Sequence, residues 1–401
     1  PPIERQVMNL PRPSVRRISP NTSDVIVVGA GIIGLAAAHA LLEAGSSVRI
    51  VEQFEPGTGQ STRTGGGIRV AHGSEINVQM AQLSLPTWLN FEQKFGIDPR
   101  YQQTGHLFLT SKDTNGLTTQ SDLLNSLGVH CDVLSREELC VLWPSLGVTG
   151  FQAGNYCKTG GYLDHHRVVE GFAQKVQAGG AHLEFNTRVE GILRDDDRVI
   201  GVRTSEGLFT GETVVNAAGP HAGVISSLAG LEVPFVSRRH ELLILEQTAQ
   251  VPESIPWLID IDQQVHMRPD GSGRALVGGF LGHDDPSNPD SYDQAVSKRW
   301  STAVREQASR SFRLTGPNSA VLSGWAGLYP GTVDYLPVLE RSIPGLVTAA
   351  GFSGTGLMHA PVVGQIVADL VRGGTTSVLD ISSLQSSRFA EEKKTLDFTG
   401  F

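Results

Sequence analysis

The glycines of Gly29-x-Gly31-x-x-Gly34, followed by the carboxylate of Glu52, carry the strongest chemical signal in the chain. Gly29 permits a tight turn, and Gly31 lets the backbone approach a pyrophosphate held at a helix N-terminus. Gly34 lets that helix pack closely on a sheet, and Glu52 can accept both hydroxyls of an adenosine ribose. Two further glycine-rich segments could also meet a ligand. The stretch Ser61-Thr-Arg-Thr-Gly-Gly-Gly-Ile-Arg69 holds hydroxyls, a glycine run and two arginines, within a polar loop, 53–73, far longer than most connections. Long loops of this kind are usually functional. Near the C-terminus, Gly351-Phe-Ser-Gly-Thr-Gly356 can present backbone N–H groups to an anionic ring edge or a phosphate chain.

Positioning these groups requires particular elements. Val25–Val28 and Val48–Val51 read as strands around a small-residue helix, Leu35–Ala44, stopped by Gly45. Asn77–Phe95 has the apolar spacing of a helix. His165–Ala178 reads as another, N-capped by Asp164 and stopped by Gly179-Gly180. His182–Phe185, Val189–Arg194, Val199–Thr204 and Gly207–Thr210 alternate as a meander would, and Thr213-Val-Val-Asn-Ala-Ala-Gly219 is a buried strand ending in small residues. A second antiparallel set comprises Arg239–Glu246, Trp257–Asp260, Gln264–Pro269 and Arg274–Gly278, followed by a helix, Lys298–Ser311. A strand at Gly345–Ala350 and a helix at Pro361–Val371 close the chain. The two ends thus read as one nucleotide module, with a more antiparallel module interposed and a cleft between them, where small-molecule sites usually lie.

The chain has 401 residues and a net charge of −9, which argues against a nucleic-acid or anionic-membrane surface. Cys131, Cys140 and Cys157 form no C-x-x-C pair, which fits a reducing, cytoplasmic setting and no structural metal. Val25–Leu42 is apolar enough to mimic a membrane segment, but its fingerprint glycines and the strand behind it argue otherwise. His165-His166 is not a metal pair, because neighbours on a helix point about 100° apart. His72, His240 and His359 are conceivable bases without an assigned role.

A glycine fingerprint alone does not separate FAD from NAD. The small-residue strand at 213–219, the 351–356 loop and the 61–69 loop together favour FAD. No second fingerprint supports a nicotinamide-driven flavin monooxygenase. Those segments, with TGHLFLT, GGYLDHHRV and AGLYPGTVDYLPVLE, resemble the D-amino-acid-oxidase-type FAD oxidoreductases. The similarity is to the branch of sarcosine oxidase, glycine oxidase and the β-subunits of sarcosine oxidase and proline dehydrogenase. It spans roughly residues 24–372.

The resemblance implies an α/β fold: a Rossmann-like FAD-binding domain built from separated segments, with an interposed, mainly antiparallel substrate domain covering the flavin. The expected partition is an extended arm at 1–22, an FAD-binding domain at 23–81, 160–232 and 322–390, a substrate domain at 82–159 and 233–321, and a tail at 391–401. It also implies an enzyme in which hydride leaves the carbon next to an amine nitrogen and passes to flavin N5, giving an imine that hydrolyses. Partners would be an amine or amino-acid substrate, oxygen or another electron acceptor, and a second subunit or copy. A flavin-bearing electron-transfer or assembly subunit is the alternative.

The cofactor is then expected against Gly29, Gly31, Ile32, Ile33, Gly34, Glu52 and Gln53 of the fingerprint unit, and against Ser61, Arg63, Thr64, Gly66 and Gly67 of the long loop. Further contacts are expected from Arg188, Val189, Ala218 and Gly219, and from Gly327, Gly351, Ser353, Gly354, Thr355, Gly356 and Leu357. Arg69 matches a carboxylate-binding arginine of this branch, and its planar fork suits bidentate capture. Tyr329 is expected on the flavin's substrate side. Relatives tether FAD through a cysteine or a histidine where this chain has Gly327 and Thr64, so the FAD is expected to be non-covalent. An oxygen-activating lysine of the family is missing from a strand that here holds Leu276, Val277 and Phe280. A further family lysine corresponds to Met358.

Overall fold

The computed structural model describes residues 21–147, 150–247, 252–271, 273–281 and 286–390; most of the expected arm and the whole expected tail lie outside them. Val25–Val28, Val48–Val51, Thr213–Asn216 and Leu346–Ala350 are buried along their whole length. β-branched residues suit strands covered on both faces. They form the centre of a six-stranded sheet, parallel except where Val338–Ile343 adds antiparallel to Leu346–Ala350. His182–Glu184 closes the far edge rather than joining the meander, which is a three-stranded antiparallel sheet of Val189–Asp195, Arg198–Thr204 and Gly207–Thr210.

The fingerprint helix, Ile32–Glu43, packs against the C-terminal helix, Gly356–Gly373. A Cβ at Gly364 would lie 2.5 Å from the Ala36 carbonyl oxygen, so small residues set this helix spacing. The C-terminal helix begins five residues before the expected Pro361, which sits inside it. Ser84 bridges the interruption: its hydroxyl donates to the His359 carbonyl and accepts from the Val362 N–H, each at 3.3 Å. The helix expected over Asn77–Phe95 is two, Glu75–Leu89 and Phe91–Phe95, separated at Asn90. Asp164 does cap His165–Ala178, accepting from the N–H groups of His166 and Arg167.

A second, eight-stranded sheet runs Val321–Thr332, Phe235–Glu246, Arg274–Gly279, Val265–Pro269, Trp257–Asp260, His106–Thr110, Ala153–Cys157 and Cys131–Ser135 in spatial order. It is antiparallel except for the pairing of Trp257–Asp260 with His106–Thr110. Alternation assigns its two faces. Leu107, Leu109, Leu243, Leu258, Met267 and Val277 pack under Trp300, Val304, Ala308 and Phe312 of the Lys298–Phe312 helix. Phe108, Ile244, Trp257, Ile259 and Leu276 face the other way.

Two expectations need correction. Val321–Thr332 pairs along its length with Phe235–Glu246, so the segment expected to enter the FAD-binding domain at 322 begins in the eight-stranded sheet. On the strand that lacks the family lysine, Val277 turns to the helix-covered face and Leu276 to the opposite one. Cys131 and Cys157 are directly opposed on neighbouring strands and form a disulfide, leaving Cys140 as the free thiol. Sequence spacing did not show that strand register would join them, and the bond removes the support for a reducing compartment.

Candidate active site

The Gly29 turn lies against Ala217, just past the end of the Thr213–Asn216 strand. A Cβ on Gly29, whose φ is +107°, would fall 2.5 Å from the Ala217 carbonyl oxygen. One on Gly34 would fall 1.9 Å from the Gly29 carbonyl oxygen, so Gly34 serves packing and does not line the space beyond. At the helix N-terminus the Ile32 N–H donates to Ser61 Oγ at 2.8 Å, fixing the long loop beside the free end of the helix. Glu52 Oε2 accepts from the Ala30 N–H and Oε1 from the Phe54 N–H, at 2.8 and 3.0 Å. Burial pushes this carboxyl up from its ordinary range, while those backbone donors draw it back.

From these residues a channel of about 1510 Å³ runs past Gly31, Ile32, Ile33, Gln53, Ser61, Arg63, Thr64, Ala218 and Gly219 to Gly351, Gly354, Gly356, Leu357 and Tyr329. A side recess lies between Glu52, Gln53, Arg188, Val189, Ala218 and His221. Segment 286–295 covers one edge of the channel. It is fastened by His221 Nε2 to Asp290 at 3.0 Å, Gln60 Nε2 to Tyr292 OH at 3.1 Å and Arg63 Nη2 to Gln294 at 2.8 Å. Gln60, His221, Tyr292 and Gln294 were not anticipated, since polar residues on loops carry no periodic signal.

Two expected glycines stand behind the lining. Gly66 packs on the Leu163 carbonyl, and Gly327 leaves room for Arg63 and Gln60. Gly67, Ser353 and Thr355 face an adjoining cavity of about 710 Å³ instead. That cavity shares Thr64, Gly354 and Tyr329 with the channel, and its far wall is the face of the eight-stranded sheet opposite the Lys298–Phe312 helix. His106, Leu242, Trp257, Ile259 and His266 supply that wall, with Phe280 and Met358 at the sides. The glycine run explains part of its shape: Cβ atoms on Gly65 and Gly67 would lie 2.7 and 3.1 Å from the Trp257 ring.

Arg69 enters from a short strand, Gly67–Arg69, paired with Gly160–Tyr162. It is buried, and its Nη2 lies 3.5 Å from His72 Nδ1. Among the described residues lining the cavity, Arg69 supplies the permanent charge. Burial, aided by that charge, pushes His106 down to about 3. Burial, Arg268 and Arg69 do the same to His266, so both imidazoles are neutral at physiological pH. Trp257 Nε1 donates to His266 Nδ1 at 3.3 Å. Burial raises the Tyr329 hydroxyl, while Arg69 draws it down. Tyr329 lies beside His240, with ring centroids 4.3 Å apart and the planes tilted by 52°. His72 and His359 are buried beside each other behind the lining, and His240 faces a different cavity. No cluster able to hold a metal occurs among the described residues.

A family profile described as FAD dependent oxidoreductase matches residues 24–370. The chain belongs to this family. It is an FAD-dependent oxidoreductase with a mixed α/β fold, and the cradle at Gly29, the helix end at Ile32 and the carboxylate of Glu52 suit such a dinucleotide. It is 28% identical to glycine oxidase of Pseudomonas aeruginosa, over 87% of this chain and 94% of that one. It is 26% identical to 4-methylaminobutanoate oxidase (formaldehyde-forming) of Paenarthrobacter nicotinovorans over 91% of this chain, which spans 45% of that relative's length. The structure of L-proline dehydrogenase from P. horikoshii superposes with a TM-score of 0.83 at 28% identity, covering 92% of this chain and 98% of that one. No helix among the described residues is long and apolar enough to cross a membrane.

Proposed function

We propose that this FAD-dependent oxidoreductase oxidises the C–N bond of a small or N-substituted α-amino acid whose carboxylate is held by Arg69. The observation that carries this reading is a buried guanidinium lining a cavity that opens onto the dinucleotide channel, with neutral imidazoles near it. A guanidinium in a site poor in water binds a carboxylate through two parallel hydrogen bonds. FAD, which Gly29, Gly31, Ile32 and Glu52 would hold in the channel, would supply a two-electron acceptor for the hydride lost from the carbon beside nitrogen, and the imine product would hydrolyse in water. The residues of the chain orient and desolvate: Arg69 fixes the carboxylate, Tyr329 and Gly354 form the border between channel and cavity, and Trp257 closes the opposite side. FAD is held without a covalent bond, since Gly327 and Thr64 offer no thiol or imidazole. The names of the similar proteins, oxidases and dehydrogenases of glycine, proline and methylaminobutanoate, agree with this class.

The test is anaerobic mixing of the FAD-loaded protein with a panel of amino and N-methylamino acids. Loss of the flavin's visible absorbance is expected with at least one of them. A flavin that stays oxidised throughout would favour an electron-transfer or assembly subunit, a reading suggested by 28% identity to sarcosine oxidase subunit beta of Rhizobium meliloti.

A further inference from the structure

We infer that the sheet wall of the cavity is a subsite for an uncharged, mainly apolar substituent, so that the substrate carries an apolar side chain or N-substituent there and is not glycine or sarcosine. This rests on the carboxylate role of Arg69 proposed above.

Wall composition is the first argument. Leu242, Trp257 and Ile259 give the far side of the cavity an apolar surface that a glycine anchored on Arg69 would leave uncovered. Apolar burial scales with area, so a substituent covering those side chains gains affinity that glycine forgoes.

Charge is the second. No carboxylate occurs among the described residues lining the cavity, so a basic substituent would be buried without a counterion. The next guanidinium, Arg268, is engaged: Nε donates to the Gly65 carbonyl and Nη1 to the Pro269 carbonyl and Asp270, and its plane lies over Tyr162. Arg268 is thus committed, and an acidic substituent finds no counter-cation on this wall among the described residues. His106 and His266 can give an uncharged hydrogen bond without demanding a charge. His106 is buried, its ring lies nearly parallel to Trp257 at 16°, and its Nδ1 has no protein partner. A polar atom held in an apolar wall in this way suits a ligand that is mainly apolar with a polar edge.

The experiment reads binding separately from turnover. Acetate, 4-methylpentanoate, phenylacetate and glutarate are titrated into the FAD-loaded protein, following the flavin spectrum or heat. Phenylacetate and 4-methylpentanoate should bind roughly 10–100-fold more tightly than acetate, and glutarate no better than acetate. Leu242→Trp, which fills the wall, should abolish most of that advantage while acetate still binds. Equal affinities for acetate and phenylacetate, or preference for glutarate, would overturn the subsite. In parallel, leucine and phenylalanine or their N-methyl forms should reduce the flavin faster than glycine and sarcosine; the reverse order also overturns it. If no amino acid reduces the flavin although phenylacetate binds tightly, the catalytic reading fails and the subsite stands.

Discussion

Gly354 lies so close to Tyr329 that a Cβ on it would sit 2.6 Å from the ring's Cε2. The C-terminal glycine loop and the strand from the eight-stranded sheet are therefore fitted to each other at the border between channel and cavity. With φ at +91°, Gly354 also holds a backbone conformation that other residues rarely adopt. Gly354→Ala should destabilise the fold by roughly 1–3 kcal/mol and lower FAD retention. A thermal melt and a cofactor assay read both effects. Adding Tyr329→Leu should restore part of the loss, and no recovery would place the cost in the backbone alone.

Arg69→Met should leave the fold and bound FAD intact but weaken carboxylate inhibitors by roughly 2–5 kcal/mol. Arg69→Lys should recover only part, because an ammonium lacks the planar fork. Spectral titration measures this. Unchanged inhibitor affinity in Arg69→Met would remove Arg69 from the substrate site.

Glu52→Ala removes a carboxylate that already accepts two backbone N–H groups and faces the side recess. Loss of charge-assisted hydrogen bonds of roughly 1.5–3 kcal/mol should weaken FAD about 10–100-fold. Fluorescence of released flavin gives the dissociation constant. Acid precipitation of the parent protein should leave the flavin in the supernatant; a yellow pellet would reveal a covalent tether.

The neutral imidazoles predict a pH dependence with a definite sign. His106 and His266 titrate near 3 in the folded chain and near 6.5 when unfolded. Between those values the unfolded chain binds more protons, so stability rises with pH and falls as the medium is acidified from about 6.5 toward 3. Replacing His106 with Asn should lower the slope of stability against pH by up to one proton. Urea melts across that window would show it, and an unaltered slope would mean that His106 is protonated in the fold.

Thiol titration in denaturant should find one reactive cysteine before reduction and three after, because Cys131 and Cys157 are joined. Three thiols without reductant would disprove the bond.

The nucleotide half was readable because its rules are local. A turn, a helix start and a carboxylate at a strand's end follow one another within 24–52, and the structure places them around one channel. The cavity was hidden for the opposite reason. His106, Leu242, Trp257, Ile259 and His266 come from strands far apart in sequence, and only pairing order brings them to one wall. Arg69 and Tyr329 were found through resemblance, while Trp257 left an indirect trace: the glycine run at 65–67 makes room for its ring. Val321–Thr332, whose glycines and Pro330 interrupt any strand pattern, owes its strand character to pairing with Phe235–Glu246.

The strict alternation of the eight-stranded sheet has a consequence for how such a protein diversifies. Each of His106, Leu242, Trp257, Ile259 and His266 is flanked along its strand by a leucine, valine or methionine committed to the helix side, as His106 is by Leu107 and His266 by Val265 and Met267. Mutations at the cavity positions can alter which molecule is welcomed while the packing beneath is inherited unchanged. A descendant could thus acquire a new diet one side chain at a time, keeping its flavin chemistry throughout.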